Sequence, residues 1–451
     1  MPLIRLRTAG PRCATSGPVL AALLLVSGCV GRDLPLASMF SFGKGNGPSD
    51  PAVSAVSEPH LTGKGQVVSP LIDGLAARNS VLVPGSPYDQ VAAAVLEASK
   101  GAAQSELRVA RLTAQAKSRN WLPSIGPNIS LTSLGATAAN LLLDQALFDN
   151  GRRRAERAYA AADVEVAAVT LASDLNERVY QGLSHYISGQ RSMDLIAVTE
   201  ASIARMGEFE RIMSVRVEGG LSDRSEQQVL RQKYTEMQAT LSADRETLTT
   251  ARAELTAMSA RPLDGLRGLA GITTDSALSE PLSVLLARGD GARMIAQAKV
   301  SRAGHLPGLG AQAALDDGGA VTSGLTLGGG TLGFGTGDAL KALAETETVA
   351  ARKVDEARET ANRRIVALDR EIAALISQER DGAEVLRQTT GNLDLFTEQY
   401  RAGRKTLLEL VSQFEVYTRM RREQASLKYE IAALRLDVAR ERGTLVSGAQ
   451  M

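Results

Sequence analysis

The chain has 451 residues, 44% of them hydrophobic but only 4% aromatic, with one Trp, seven Phe and eight Tyr. That length allows two or three ordinary domains, and an apolar content carried by Ala, Leu and Val rather than by rings suits long helices with narrow contacts. Fifty-one basic residues against 50 acidic ones give no electrostatic reason to expect nucleic acid binding; two cysteines, Cys13 and Cys29, exclude a disulfide scaffold and a multi-cysteine zinc cluster.

Arg5, Arg7 and Arg12 give the chain a positive start, Val19 to Val26 is an uninterrupted apolar run, and the small residues Ser27 and Gly28 follow. This is the layout of a secretory signal peptide over residues 1–28, too short to span a bilayer. Val26-Ser27-Gly28-Cys29 resembles the bacterial lipobox, which implies acylation of Cys29 as the first residue of the mature chain; the alternative is an ordinary cleavage site beside an incidental cysteine. Cleavage removes three arginines and no acid, so the net charge becomes −2 (+1 − 3), and Cys29 is then the sole cysteine. An acylated terminus holds a chain at a membrane surface without spanning it. Residues 29–87, rich in Gly, Pro and Ser and without sustained periodicity, predict a flexible tether.

The remainder repeats. Leu122-Pro123 finds an echo in Leu306-Pro307, an offset of 184 (307 − 123); Gly151 recurs as Gly337 and Gly220 as Gly403, at offsets of 186 and 183. Three landmarks at nearly one spacing predict two structural repeats, 88–262 and 263–447, each a helix, a strand pair and a long helical hairpin, with 448–451 as a C-terminal end. In the first repeat Ile125, Ile129 and Leu131 alternate with polar residues, and Leu141, Leu143 and Leu147 predict a second strand ending near Phe148. In the second repeat Leu309, Ala311, Ala313 and Leu315 alternate, then Leu325 and Leu327; the parity switches before Leu332 and Phe334, across Gly328 to Gly330, and predicts a bulge there. Such runs fit transmembrane β-strands, with a soluble hairpin as the alternative.

From Arg152 to Glu218 no Pro interrupts the chain, and at about 1.5 Å per residue this helix reaches about 100 Å. Tyr417, Met420, Gln424, Leu427, Ile431, Leu434 and Val438 step by three and four, as do Leu386, Thr389, Leu393, Phe396 and Tyr400, predicting coiled-coil seams. Ala158, Ala161, Ala162, Ala167 and Ala168 predict closer helix approach in the first repeat.

This duplicated, exported pattern resembles the TolC family of outer-membrane efflux and secretion ducts over about residues 88–447. The most specific pieces are Gln145-Ala146-Leu147-Phe148-Asp149-Asn150-Gly151-Arg152, like the family's passage from strand to helix, and Tyr400-Arg401-Ala402-Gly403-Arg404-Lys405-Thr406-Leu407, like its periplasmic helix-turn-helix; Val217-Glu218-Gly219-Gly220-Leu221 matches the turn of the first repeat. Four strands cannot close a barrel, and open sheet edges are not tolerated in lipid, so the chain must pool strands with copies of itself. The resemblance implies a homotrimer: a mainly α fold with a 12-stranded transmembrane β-barrel and a periplasmic α-helical tunnel. It further implies a Gram-negative outer-membrane channel of tripartite efflux or type I secretion, passive and not an enzyme, partnered by a periplasmic adaptor and an inner-membrane transporter, with outer-membrane lipid around it.

By the same resemblance Gly219, Gly220, Leu221, Ala402 and Gly403 are the adaptor-docking tips. The family often carries two aspartates ringing the pore entrance just past the second tip, where this chain has Glu409 and Ser412; Glu226 occupies the equivalent place in the first repeat. The glycines also have a plain structural reading as helix C-caps, and the acids as solvated helix residues. His60, His185 and His305 have no metal-ligand spacing, and no nucleophile elbow or phosphate loop stands in a supporting context, so no cofactor is expected. The alternative is a periplasmic coiled-coil lipoprotein that spaces the envelope without forming a pore. The scarcity of aromatic residues favours it, since only Trp121, Phe148 and Phe334 lie near strand ends.

Overall fold

The computed structural model describes residues 59–63, 65–99, 101–131, 137–272, 279–316, 318–329 and 336–450. The signal peptide, Cys29 and the first half of the expected tether lie outside the described residues, as do Leu332 and Phe334. In chain order the elements are β1 (His60–Leu61), β2 (Val67–Val68), α1 (Pro70–Ala76), α2 (Pro87–Glu97), α3 (Ala102–Ser118), β3 (Ser124–Leu131), β4 (Thr137–Phe148), α4 (Arg152–Glu218), α5 (Arg224–Met258), α6 (Leu282–Gly304), β5 (Pro307–Leu315), β6 (Val321–Gly329), α7 (Thr336–Arg401) and α8 (Leu407–Arg442). The fold is mostly helical with a small antiparallel sheet, and the order helix, strand pair, helical hairpin occurs twice.

The sheet has the order β3-β4-β5-β6, antiparallel throughout, and among the described residues both outer strands have an unpaired edge. Leu141 pairs with Leu315 and Leu315 with Val321, while Leu143 pairs with Ala313, so the odd-numbered apolar residues share one face. Asp144 pairs with Gln312 and Gln312 with Gly324 on the other face, where the Gln312 amide donates to the Asp144 carboxylate at 3.0 Å. The apolar face is exposed: Ile125, Leu141, Leu325 and Leu327 all present large areas to their surroundings. The parity switch expected before Leu332 and Phe334 lies partly outside the described residues, and the bulge that is described falls on β4. Gly328 and Gly329 pair regularly with Gly308 and Pro307, whereas the register shifts between Ala146 and Phe148. Leu147 therefore drops out of the ladder and Phe148 takes its turn opposite Leu309. Pro127 sits on β3, an edge strand, where its missing N–H costs no central ladder bond.

Helix α4 runs 67 residues and α7 runs 66. They differ in surroundings. Helix α4 is covered by α2, α3, α5, α6 and α8, and its small residues let those neighbours come close: a Cβ on Gly182 would stand 2.7 Å from Val95. Ala161 and Ala162 are fully buried, as their spacing predicts, while Ala158, Ala167 and Ala168 are only partly covered. Helix α7 buries only Ala350, Ala361, Ile365 and Leu368. The seam Leu386, Thr389, Leu393, Phe396 and Tyr400 is half-buried along its length. In α8 the predicted seam faces α7, with Gln424 donating to the Glu379 carbonyl at 2.8 Å. A second stripe, Phe414, Thr418, Tyr429, Ala432, Leu436 and Ala439, is more deeply buried and faces α4, where the Tyr429 hydroxyl donates to Asp194 at 2.6 Å.

The tether is shorter than composition implies. Ser69 caps α1 by accepting from the amides of Leu71 and Ile72, and Leu71, Leu75, Val81 and Leu82 are buried. The buried Arg78 guanidinium donates to the Arg442 carbonyl at 2.8 Å and to the Glu280 carbonyl at 2.5 Å, tying this segment to the chain's end. Burial pushes its pKa down, opposed by the Glu280 charge. Pieces of two to seven residues are too short to show periodicity, so their sequence reads as linker.

Candidate functional site

The two hairpin tips are built alike. At the end of α4 the Leu221 amide donates to the Arg216 carbonyl at 2.7 Å and the Gly220 amide to Val217 at 3.1 Å; at the end of α7 the Arg404 amide donates to Gln399 at 2.9 Å and the Gly403 amide to Tyr400 at 3.0 Å. Both are Schellman closures with glycine at the left-handed position, Gly220 at φ 70° and Gly403 at φ 72°. Gly219 and Ala402 are the last residues before that reversal. Leu221 is 71% exposed, an apolar side chain at the extremity that no described residue covers.

The tips are brought to one end of the molecule by a shared core. Met206, Phe209 and Met213 of α4 and Leu230 of α5 pack with Leu407, Leu410, Val411 and Phe414 of α8. Phe209 and Phe414 meet edge to face at 5.5 Å, and Lys233 pairs with Glu415 at 2.8 Å between α5 and α8.

Glu409 lies in the first turn of α8, where it closes a capping box with Thr406: the Thr406 hydroxyl accepts from the Glu409 amide at 3.2 Å and the Glu409 carboxylate accepts from the Thr406 amide at 2.9 Å. Lys405 donates to its other oxygen at 2.6 Å. The Lys405 hydrogen bond, followed by those from Thr406, pulls the carboxyl down to about 2. At neutral pH it is therefore ionised, and its charge is already matched by Lys405. Sequence reasoning missed this role, although Thr406-Leu407-Leu408-Glu409 carries the capping-box spacing openly. Ser412 is exposed one turn on. Glu226 occupies the same first-turn place in α5, but its N-cap Asp223 makes no side-chain cap bond, so no reciprocal box forms there.

Further from the tips, Arg422 of α8 forms a two-pronged pair with Asp244 of α5 at 2.7 and 3.1 Å and donates to the Thr199 hydroxyl of α4. Three helices meet on this one guanidinium. A cavity of about 1000 Å³ flanks α1, α4, α6 and α7. In its wall the buried Glu165 accepts from the Ser69 hydroxyl, and burial raises its pKa against that bond and the Arg288 charge; Ser69 is committed to the α1 cap. Among the described residues no group of His, Cys, Asp and Glu could hold a metal ion, and no helix is long and apolar enough to cross a membrane.

An open antiparallel sheet mounted on two duplicated helical hairpins is the architecture of TolC-like outer-membrane channel protomers, the fold that the sequence resemblance implies. By structure the chain is similar to the outer membrane protein VceC of Vibrio cholerae (TM-score 0.65, 15% identity, covering 83% of this chain and 95% of that one). It is similar also to the Campylobacter jejuni CmeC outer membrane channel (0.67, 12%, 82% and 91%) and to the outer-membrane channel OprN (0.69, 14%, 89% and 99%). No protein-family model and no curated protein matches the sequence.

Proposed function

We propose that the chain is one protomer of a trimeric outer-membrane duct, lipid-anchored through Cys29, through which an inner-membrane transporter expels substrate by way of a periplasmic adaptor. The observation that carries this is the open four-stranded sheet, apolar and exposed on one face, polar on the other, with an unpaired edge at each side among the described residues. Such a sheet is stable in lipid only when copies close it, and three copies give 12 strands. The thin covering of α7 fits the same reading, since its remaining faces would meet neighbouring protomers around a tunnel. A coiled-coil spacer in water would leave Leu325 and Leu327 exposed without return.

The duct is passive. Gly219, Gly220, Leu221, Ala402 and Gly403 form the adaptor-docking end, and Glu226, Glu409 and Ser412 line the narrow entrance, with Glu409 contributing an ion pair rather than a bare charge. Purified full-length protein in detergent tests the reading: a trimer with β signal and conductance in planar bilayers is expected, and a soluble, wholly helical delipidated chain overturns it. Exchanging Gly403 for Trp should abolish adaptor crosslinking and export with the trimer intact; unchanged export removes the tips from docking.

A further inference from the structure

Just where the sheet hands over to the long helices, the surface changes character. Asn120 donates to the Arg153 carbonyl at 3.1 Å and accepts from Arg157 at 3.2 Å, and Asn150 donates to the Pro307 carbonyl at 2.8 Å. These bonds bring the end of α3, the start of α4 and the end of α6 to one level. Seven bases collect there: Lys117 and Arg119, Arg152, Arg153, Arg154 and Arg157, and Arg302. Two acids stand among them, and both are engaged. Asp149 accepts from the amides of Gly151 and Arg153 at 3.1 and 2.9 Å; Glu156 pairs with Lys117 at 3.1 Å and Arg152 at 3.3 Å. At the start of α7, Asp338 and Lys341 cancel each other at 3.1 Å. The bases at the head of α4 also sit where the helix dipole disfavours cations, and they outnumber the two acids, so positive charge remains in excess there after Glu156 has paired with Lys117 and Arg152.

Immediately on the sheet side of this charge are large exposed apolar side chains, Trp121 at 60% and Phe148 at 60%, with Leu122 at 43%. The Trp121 carbonyl is held by the Gln145 side chain at 3.1 Å, which fixes the loop against β4. An apolar band, then an aromatic and leucine step, then a basic collar is the order met on passing from hydrocarbon through the interface to the headgroups of an anionic leaflet.

We infer that this collar is a binding surface for anionic phospholipid headgroups in the leaflet bordering the helical body, recruiting them around the protein in preference to zwitterionic lipid. The inference rests on the barrel reading above. The phosphate is the group the collar recognises: guanidinium forks match its oxygens in pairs, and the added net negative charge of an anionic headgroup supplies the selectivity. Each protomer brings its own collar, so a closed assembly carries a continuous basic ring.

Trp121 is the chain's single tryptophan and lies beside the collar, so it reports on lipid composition there. The full-length protein is reconstituted in phosphatidylcholine vesicles containing a fixed minor fraction of brominated lipid, either brominated phosphatidylglycerol or brominated phosphatidylcholine, and Trp121 quenching is compared. Recruitment predicts quenching about twofold or more stronger with the anionic bromolipid at low salt, with the excess fading at high salt as the charges are screened and in the double variant Arg153→Gln, Arg154→Gln. Equal quenching by the two bromolipids at low salt in the unaltered protein overturns the inference, while efficient quenching by both leaves the barrel reading standing. Absence of quenching by either, with protein that fails to float with vesicles, overturns the barrel and the collar together. The salt comparison needs no substitution, so a misfolded variant does not blunt the test.

Discussion

Asp244→Ala should loosen α5 more than any surface substitution on that helix. Between Leu230 and Ala251, α5 fully buries no side chain, so a span of about 30 Å is held by half-buried apolar residues such as Tyr234 and Met237 together with polar contacts. Arg231–Glu210 and Arg245–Glu200 are exposed pairs of the kind that contributes about 0–1 kcal/mol. Arg422–Asp244 is different: its side chains keep only 22% and 13% of their exposure, and the guanidinium is held by both carboxylate oxygens. Removing one member of a fully buried pair costs about 3–5 kcal/mol; the residual exposure lets water reach the orphaned arginine, so about 2–3 kcal/mol is expected here. At about 1.4 kcal/mol per tenfold, opening of α5 around residue 244 should become roughly 30- to 150-fold more frequent. Amide hydrogen exchange, read by mass spectrometry on peptides spanning residue 244, measures it directly. Because the penalty is an uncompensated charge rather than a lost contact, the double variant Asp244→Leu, Arg422→Met should exchange within about tenfold of the unaltered protein. Exchange in Asp244→Ala that matches the unaltered protein, or a double variant more labile than the single one, refutes the reasoning.

The tip glycines should respond to backbone geometry alone. Nothing lies within 4 Å of a Cβ built on Gly220 or Gly403, so Ala at either position costs about 1 kcal/mol from its left-handed φ, and Asn, which tolerates that region, costs less; exchange of the Leu221 and Arg404 amides reports this, and equal losses for Ala and Asn contradict it. For Glu409 the folded pKa of about 2 lies below its ordinary 4.5. The carboxylate therefore stabilises the tip fully above about pH 4.5 and loses that contribution as pH falls through about 2. A carboxyl carbon-13 titration, assigned with Glu409→Gln, should give a midpoint near 2, and the stability difference between the two proteins should vanish at that acid end; a midpoint near 4.5 is incompatible with the capping box.

Local sequence carried some of these features and could not carry others. The strand pairs were legible because period-two alternation needs only four or five residues, and the tips because glycine has a backbone reason to sit at each reversal. The bulge at Leu147 was not, since Ala146, Leu147 and Phe148 are all apolar and no glycine marks the lost register. In α8 the visible three-four seam is the one toward α7. The deeper stripe toward α4 mixes Thr418 and Ala432 with large residues, and a helix touching two neighbours has more buried faces than one heptad describes. Asp244 and Arg422, 178 positions apart, share no spacing that a linear reading can find.

Glu409 shows a different kind of loss. Its spacing to Thr406 is that of a capping box, and the same residue stands where the family resemblance places the pore entrance. A carboxylate that already accepts three hydrogen bonds from Lys405 and Thr406 cannot be drawn to a passing cation without opening the first turn of α8, so any cation sensitivity of this acid has to be coupled to the shape of the tip. Glu226, without a reciprocal box, carries no such coupling. Substituting Gln at each position therefore separates a pore-charge effect from a tip-folding effect: only Glu409→Gln should alter exchange of the first-turn amides of its helix, and a matching change for Glu226→Gln would place both acids in the same structural role.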